Sequence, residues 1–171
     1  MKKILVILPT YNESKNIERL YFLLKKVNLK LSYLFIDHGS IDGTLTIIKS
    51  IKKKFPKNVF LITKKIREGI GKAHKDGLKW SYKKNYDLVI TMDTDLAHHP
   101  KYIKNLIFKS KNFDLVVGSR YLKKKSMTNW SWFRILLSNS AHFMSFILFN
   151  VTHDTTNSFR CYNLKKINKN F

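Results

Sequence analysis

The sequence predicts an α/β fold with a mostly parallel sheet that is covered by helices on both faces. Short apolar runs alternate with segments whose apolar residues recur at helical spacing. The first apolar run, residues 4–8, is continuous, as expected for a strand that is buried on both faces. Polar clusters directly follow three of the runs, at the sheet edge where ligands bind in folds of this class.

The predicted elements follow one another in the order strand, helix, strand, helix. Strands are predicted over residues 4–8, 31–36, 59–62, 88–92 and 115–117. Helical spacing of apolar residues predicts helices around 17–24 and 45–51, and another over 70–84 in spite of its two glycines. Pro100 opens a further predicted helix, because proline suits the first helical turn.

Length and composition suit one globular domain. The chain has 171 residues, of which 44% are hydrophobic and 26% are charged, so a disordered tail is excluded. The single cysteine, Cys161, allows no disulfide within the chain, which fits a reducing compartment. No stretch reaches the ~18 uncharged apolar residues that a membrane span needs.

The charge balance is strongly basic, with 33 Lys and Arg residues against 11 Asp and Glu and a formal net charge of +22. Such a field attracts nucleic acid, anionic lipid and phosphorylated substrates alike. Lysine runs are also common on solvated faces, and the bias can come from the composition of the source genome. Because no helix-turn-helix, RRM or zinc-finger signature is present, no nucleic-acid partner is predicted.

The segment 130–151 is rich in aromatic and aliphatic residues, many of which share one helical face. Two interpretations stay open for it. The segment is either a core helix of the domain or an amphipathic helix that lies against a bilayer, with lysines nearby.

Two aspartates follow the fourth predicted strand. Asp93 and Asp95 are two residues apart in an extended stretch, so their side chains point the same way. Neighbouring carboxylates repel each other unless a cation lies between them, and oxygen ligands suit Mg²⁺ or Mn²⁺. Such a metal would neutralise a leaving diphosphate. Asp-x-Asp is common in surface loops, so its place at a strand end is what predicts a metal site here.

Two other loops carry polar residues. Loop 37–44 has two glycines and two hydroxyls, so it either holds a base or ribose or forms an ordinary turn in which Ser40 or Asp42 caps the next helix. The segment 67–73 is basic and rich in glycine, but it lacks the full Walker pattern, which excludes a P-loop.

Several motifs follow one another along nearly the whole chain. They are Pro9-Thr10-Tyr11-Asn12-Glu13, Asp37-x-Gly-Ser-x-Asp-Gly-Thr44, Arg67 with Gly69-x-Gly71-x-Ala73, Met92-Asp93-Thr94-Asp95-Leu96 with His98 and Pro100, Gly118-Ser119-Arg120-Tyr121, Trp132/Arg134/Ser138 and Asp154-x-Thr156-x-x-Phe159-Arg160. In this order they resemble the dolichol- or polyprenol-phosphate mannosyltransferases of glycosyltransferase family 2. The resemblance implies a GT-A fold, which is a Rossmann-like nucleotide-binding sheet. It implies a single domain over 1–171, with the nucleotide-sugar bound by 1–125 and the amphipathic helix and acceptor side in 126–171.

The resemblance also implies a reaction and its residues. The reaction is inverting, metal-dependent transfer of mannose from GDP-mannose to a dolichyl or polyprenyl phosphate, with Mg²⁺ or Mn²⁺ as the cofactor. The residues implied for the nucleotide-sugar pocket are Pro9, Tyr11, Glu13, Ile36, His38, Asp93, Thr94, Asp95 and Arg120. Asp93 and Asp95 face the metal and the diphosphate. The implied catalytic residues are Asp95, Arg120 and Arg134, since guanidinium groups bind phosphate bidentately, and Arg160 is a further candidate.

A lipid phosphate is already ionised, so its oxygen attacks the anomeric carbon without a strong general base. The enzyme then has to position its substrates and stabilise an oxocarbenium-like transition state. A polyprenyl substrate also gives a basic enzyme reason to lie on a membrane surface. The resemblance therefore implies a cytoplasmic protein that associates peripherally with the membrane, directly or through an anchoring subunit.

The chain departs from the family pattern at a few positions. His38 stands where the family has the second aspartate of a pair that contacts the base, and the lost hydrogen bond is worth about 1–3 kcal/mol of binding. Ala97 stands where some relatives have a side-chain oxygen near the metal, and Ser158 replaces a usual glycine. The chain also ends soon after Arg160, which implies a truncated acceptor side. Two alternatives stay open: a related transferase with another donor, such as UDP-glucose, or another acceptor, and a degenerate, non-catalytic homologue.

Overall fold

Six strands form one twisted sheet in the computed structural model, which describes residues 2–119, 140, 143–144, 147–148 and 157–167. The strands are β1 (Ile4–Thr10), β2 (Leu31–His38), β3 (Val59–Lys64), β4 (Leu88–Thr91), β5 (Leu115–Val117) and β6 (Arg160–Asn163). The helices are α1 (Ser14–Lys26), α2 (Thr44–Lys54), α3 (Ile70–Lys83) and α4 (Ile103–Lys109). The strand order is β3-β2-β1-β4-β6-β5.

The parallel part of the sheet is centred on β1, which pairs with β2 on one side and β4 on the other. Its residues alternate between two fully buried clusters. Val6 and Leu8 pack with α1, α2 and α4, whereas Leu5 and Ile7 pack with α3 on the opposite face. Burial on both faces explains the continuous apolar run and confirms the predicted α/β class with a mostly parallel sheet.

Two of the strands that precede polar clusters are longer than predicted, whereas β4 ends one residue earlier, at Thr91. β1 and β2 each continue two residues past their apolar runs, because Pro9 and Thr10 stay in register with Ile36 and Asp37. The prediction that an α-helix begins at Pro100 is wrong for the first three residues. Pro100–Tyr102 forms a 3-10 turn, whose first residues are capped when Lys101 N–H donates to His99 Nδ1, and the α-helix begins only at Ile103.

The strand β6 was not predicted. It lies antiparallel between β4 and β5, and Arg160 pairs with Thr91 on one side and with Val117 on the other. Four residues, Arg-Cys-Tyr-Asn, are too short and too polar to show a strand pattern. The consequence for function is that the segment just before β6 lies beside the carboxyl end of β4.

The helix α3 packs unusually close to the sheet at Gly77. A Cβ at this position would lie 2.8 Å from Ile7 Cδ1 and 3.0 Å from Ile36 Cδ1. The glycine that weakens the helical pattern is therefore needed for packing, at a cost of about 1 kcal/mol in helix propensity. At its N-terminal end the same helix places Ile70 and Ala73 beside the cleft described below.

Most of the segment 130–151, together with Arg120 and Arg134, lies outside the described residues. Four of its apolar residues are described as helical, and each is more than half exposed: Phe143, Met144, Ile147 and Leu148. Their spacing places them on one side of a helix. These four side chains therefore do not pack in a core. Within the described ranges, no helix combines the length and the apolar character that crossing a bilayer requires.

Candidate active site

A cleft lies at the carboxyl ends of β1, β2 and β4, where the strand order changes direction between β1 and β4. Ligands bind at such switch points in open α/β sheets. The cleft is lined by Pro9, Thr10, Tyr11, Glu13, Ile36, His38, Arg67, Gly69, Ile70, Ala73, Asp93, Thr94 and Asp95. The structure therefore brings together every described residue predicted for the nucleotide-sugar pocket. Arg120, the remaining member of that set, and Arg134 lie outside the described residues, and the roles of all these residues stay predictions.

The two oxygens of the Asp93 carboxylate have different surroundings. Oδ2 accepts a hydrogen bond from Ser158 Oγ at 2.5 Å and lies 3.5 Å from His98 Nε2. Oδ1 is buried and has no hydrogen-bond partner within the described part of the chain. Burial raises the pKa of Asp93, but the hydrogen bonds from His98 and Ser158 outweigh this effect and hold the pKa below its usual value. Asp93 is therefore an ionised carboxylate whose Oδ1 is free to accept a hydrogen bond or to coordinate a cation.

The turn after Asp93 is tight. Thr94 Oγ1 donates to the carbonyl of Pro9 at 3.2 Å, which ties the end of β4 to the end of β1. Asp95 Oδ1 accepts from the backbone N–H of Ala97 at 2.9 Å, and Leu96 between them has a positive φ of 64°. This backbone conformation costs a residue such as leucine roughly 1–2 kcal/mol. The turn thus fixes Asp95 at the rim of the cleft that Asp93 also lines.

These two carboxylates fit a divalent cation. A buried acceptor without a donor, such as Asp93 Oδ1, costs about 1–3 kcal/mol unless a ligand satisfies it. Asp95 lies in the same cleft, and carboxylate oxygens are the ligands that Mg²⁺ and Mn²⁺ prefer. Asp93, through Oδ1, and Asp95 are the residues that would hold such an ion.

A second cluster of possible metal ligands lies at the β2 end of the cleft. One ligand atom from each of His38, Glu68 and Asp76 lies within 4.8 Å of the others. Lysines already neutralise the two carboxylates: Lys72 Nζ lies 2.8 Å from Asp76, and Lys64 Nζ lies 3.6 Å from Glu68 and 3.9 Å from Asp76. We interpret this cluster as an ion-pair network beside the buried His38, whose Nε2 has no partner among the described residues.

The loop after β2 forms a scaffold for the loop after β1. Buried Asp37 accepts from both the N–H and the hydroxyl of Ser40. Ser40 Oγ in turn accepts from Asn12 N–H at 3.0 Å, and Asn12 Oδ1 accepts from Ile41 N–H at 3.0 Å. The acceptors of Asp37 are thus used inside the protein, which favours the turn interpretation of this loop over a direct role in holding a ribose.

Asp42 makes the same kind of structural contact. Its carboxylate accepts from the Thr44 hydroxyl and N–H and from Ser14 N–H at the start of α1. The Thr44 hydroxyl, followed by Ser14, lowers the pKa of Asp42. Of the two capping candidates, Asp42 accepts from the N–H of Thr44, the first residue of α2, although Gly43, with a positive φ of 94°, occupies the N-cap position itself.

Arg67 was not among the predicted site residues. Its guanidinium carbon lies 4.4 Å from the centroid of the Tyr11 ring, a cation–π contact on the wall of the cleft. The signal was present in the sequence, since Arg67 opens the glycine-rich segment after the third predicted strand. Arg160, the further candidate that the resemblance implies, donates from Nε to the carbonyl of Asn157 at 2.7 Å, and its role in phosphate binding stays a prediction.

Comparison with known proteins gives consistent results. The family model described as glycosyl transferase family 2 matches residues 5–171. Polyprenol monophosphomannose synthase from Mycolicibacterium smegmatis is 31% identical over 170 residues, which are 98% of this chain and 64% of that protein. Dolichol-phosphate mannosyltransferase from Pyrococcus furiosus is 35% identical over 142 residues, 81% of this chain and 39% of that protein. The chain thus spans less than two thirds of the length of these curated relatives.

Solved structures share the fold. Glucosyl-3-phosphoglycerate synthase from Mycobacterium tuberculosis, in complex with Mn²⁺, UDP-glucose and phosphoglyceric acid, superimposes with a TM-score of 0.69. The match covers 96% of this chain and 57% of that one at 18% sequence identity. At this identity the likeness supports the architecture alone, and it agrees with the predicted GT-A fold.

Proposed function

The chain belongs to glycosyl transferase family 2, and from this premise we propose that it transfers mannose from GDP-mannose to a dolichyl or polyprenyl phosphate. The names of two relatives that are more than 30% identical, a polyprenol monophosphomannose synthase and a dolichol-phosphate mannosyltransferase, support this choice of substrates. The observation that carries the proposal is the position of Asp93 and Asp95. Both line one cleft with the predicted nucleotide residues at the switch point of the sheet.

The proposed reaction exchanges one bond at the anomeric carbon. An oxygen of the acceptor phosphate forms the new bond to C1 on the face opposite the diphosphate. The bond between C1 and the diphosphate breaks, and its electron pair leaves with GDP, so the configuration at C1 inverts. Because the attacking oxygen is already ionised, no proton has to be removed, and the site contributes positioning and charge stabilisation.

Asp93 and Asp95 would hold the Mg²⁺ or Mn²⁺ at the diphosphate end of the cleft. A cation bound there supplies positive charge against the leaving diphosphate. The lowered pKa of Asp93 keeps its carboxylate ionised at neutral pH, so Oδ1 is ready to coordinate. Arg67 adds a positive charge on another wall of the cleft, held over Tyr11. Arg120 and Arg134 remain predicted phosphate ligands.

The identity of the donor base depends on the other end of the cleft. Ile36 and His38 lie there, and the His38 imidazole is 4% exposed with Nε2 available for one hydrogen bond. We propose guanine as the base. Competition against labelled GDP-mannose checks this: GDP should displace it at lower concentration than UDP, and the reverse order would favour a UDP-sugar transferase.

The site of action proposed for the protein is the cytoplasmic face of a membrane. The net charge of +22 attracts anionic lipid, and the exposed apolar residues Phe143, Met144, Ile147 and Leu148 share one helical face. Sedimentation with vesicles tests this proposal. The protein should sediment with anionic vesicles, and Phe143→Ser with Ile147→Ser should release it. Failure to bind any vesicle would favour attachment through a partner subunit.

A transfer assay tests the function. Labelled GDP-mannose, polyprenyl phosphate and Mn²⁺ are supplied to the wild type, to Asp95→Asn and to Asp114→Asn. Asp114 provides the matched control, because its carboxylate is 63% exposed and pairs with Lys166 away from the cleft. We expect lipid-linked product from the wild type and the control, and almost none from Asp95→Asn. Equal product from all three would refute the metal assignment, and none from the folded wild type would favour a non-catalytic homologue.

A further inference from the structure

Both protein contacts of the Asp93 carboxylate among the described residues are made to one of its two oxygens. Ser158 Oγ and His98 Nε2 both contact Oδ2, whereas Oδ1 is buried without a partner among the described residues. A carboxylate on a freely rotating side chain would exchange its two oxygens. Here two donors fix which oxygen is occupied and which one remains available.

The Ser158 hydroxyl is itself rigidly placed, although it comes from 65 residues away in the chain. Thr91 Oγ1, at the end of β4, donates to the carbonyl of Ser158. The next residue, Phe159, donates its N–H to Asn157 Oδ1 at 2.9 Å and accepts from Gly118 N–H at 2.8 Å. The segment just before β6 therefore holds the Ser158 hydroxyl against Asp93 on a backbone that is fixed by hydrogen bonds.

His98 is placed by the same segment. Its ring stacks on Phe159 with a centroid distance of 5.2 Å and an interplanar angle of 16°, and its side chain is 10% exposed. Phe159 is itself buried. One short segment before β6 thus supports both donors, the first directly through Ser158 and the second through the Phe159 ring.

We infer that Ser158 and His98 are positioning residues, which occupy Oδ2 of Asp93 so that Oδ1 is presented as a single, preorganised ligand to a divalent cation. This inference rests on the proposed function for the identity of the cation site. Groups that orient a metal ligand in this way commonly change metal affinity by 10–100-fold when they are removed. A glycine at position 158, which the family pattern leads one to expect, has no hydroxyl to donate, so this device depends on the serine of this chain.

Mn²⁺ binding measured by electron paramagnetic resonance, in the presence of GDP, tests the inference without relying on turnover. The full chain is compared with Ser158→Ala, Ser158→Thr and Ser81→Ala. Ser81 is the matched control, because it is also buried and its hydroxyl donates to the carbonyl of Leu78 in α3. We expect Ser158→Ala to weaken Mn²⁺ binding by at least about tenfold, Ser158→Thr to restore most of the affinity, and Ser81→Ala to leave it unchanged.

His98→Phe separates the hydrogen bond from the packing, since a phenyl ring can keep the stack on Phe159 but has no nitrogen. We expect a smaller loss of Mn²⁺ affinity than for Ser158→Ala, because the His98 contact is longer. Thermal melting of every variant shows whether it is folded. A loss that follows melting temperature, and that Ser158→Thr does not restore, would mean that the serine is merely structural and would overturn the inference.

The possible results separate this inference from the proposed function. Unchanged Mn²⁺ affinity in folded Ser158→Ala overturns the inference even when the wild type transfers mannose. Weakened affinity in that variant, restored by threonine, supports the inference even when no mannose transfer is found. A wild type that binds no Mn²⁺ in the presence of GDP overturns the inference together with the metal assignment.

Discussion

Two strand ends at the same edge of the sheet, each with the loop that follows it, carry two aspartates, and the carboxylates serve different roles. At the end of β2 and in the loop after it, Asp37 and Asp42 accept hydrogen bonds from Ser14, Ser40 and Thr44. After β4, Asp93 keeps one buried oxygen without a donor in the described part of the chain. Asp37 and Asp93 are the same residue type at neighbouring strand ends. The difference between them is whether the oxygens of each carboxylate already accept hydrogen bonds from the protein. A satisfied carboxylate organises a loop, and an unsatisfied one is available to a ligand.

The origin of the donors explains the difference. Around Asp37 and Asp42, the donors are backbone N–H groups and hydroxyls within three residues, together with the N–H of Ser14 at the start of α1. In the loop after β4, Ser158 supplies its hydroxyl from the distant segment just before β6 and reaches only Oδ2 of Asp93. Nearby donors therefore satisfy the aspartates at the end of β2, whereas the long-range donor satisfies one oxygen of Asp93 and leaves Oδ1 to face the cleft.

Asp93→Asn should produce the largest effect and should act on activity alone. We expect the transfer rate to fall about 10³-fold, because the negative charge that binds the cation is removed. The melting temperature should not fall, since asparagine keeps an oxygen for Ser158 and His98. Initial rates and thermal unfolding measure the two quantities. A destabilised variant with normal activity would reverse the roles assigned to the two loops.

Asp37→Ala should act on stability. The substitution leaves the N–H and hydroxyl of Ser40 without their acceptor and loosens the contact of Ser40 with Asn12. Because Asp37 is 1% exposed, we expect the free energy of unfolding to fall by about 3 kcal/mol in urea titrations. Exposed Asp42→Ala is the control and should cost less. Loss of Mn²⁺ binding without loss of stability would place Asp37 among the ligands and end the distinction.

Gly77→Ala tests the scaffold that both loops share. The added methyl group would meet Ile7 and Ile36 at 2.8–3.0 Å, so overpacking should exceed the gain in helix propensity. We expect a net loss of about 1–2 kcal/mol in the free energy of unfolding. Gly71→Ala in the same helix meets no atom within 4 Å and should not destabilise the protein. Equal stability of the two variants would show that α3 is not packed closely at Gly77.

A satisfied carboxylate at the opposite edge of the sheet should give the smallest effect. Asp87 accepts from Lys3 N–H at 2.6 Å and lies 2.8 Å from Lys165 Nζ, and the Lys165 hydrogen bond, followed by the one from Lys3, lowers its pKa. Its stabilising contribution is therefore complete above the ordinary pKa of 3.8 and is lost as the pH falls through the lower folded value.

Asp87→Asn should accordingly cost about 0.5–1 kcal/mol near pH 7, as an ion pair at the surface does. The difference in unfolding free energy between wild type and variant should shrink below pH 4. Urea titrations at pH 7, 5 and 3 measure this difference. If the difference in unfolding free energy stays constant between pH 7 and pH 3, the charge of the Asp87 carboxylate does not cause the lost stability.

The sequence predicted the parallel part of the sheet because its signals are local. The apolar run of β1 and the helical spacing in α1 and α3 each show within one element. The strand β6 escaped prediction because its four residues are held by pairing with β4 and β5, and no local pattern records such pairing. The longer ends of β1 and β2 were missed for the same reason.

The candidate site likewise has features that local sequence patterns predict and features that depend on long-range contacts. Apolar runs directly precede Asp93 and Asp95 and also the residues that follow the run of β1. Their gathering at one edge of the sheet could therefore be predicted. The contacts that distinguish Asp93 from Asp37 could not be predicted, since they depend on Ser158 and on the absence of a donor to Oδ1 among the described residues. The position of His98 in the motif after Asp95 could be read from the sequence, but its contacts with Asp93 and Phe159 could not.

The central claim is that Asp93 and Asp95 bind a divalent cation at the rim of the cleft. The most direct measurement is anomalous diffraction at the manganese edge from crystals grown with Mn²⁺ and GDP. We predict one peak within coordination distance of Asp93 Oδ1 and a carboxylate oxygen of Asp95. A peak among His38, Glu68 and Asp76 instead, with none at Asp93, would contradict the claim.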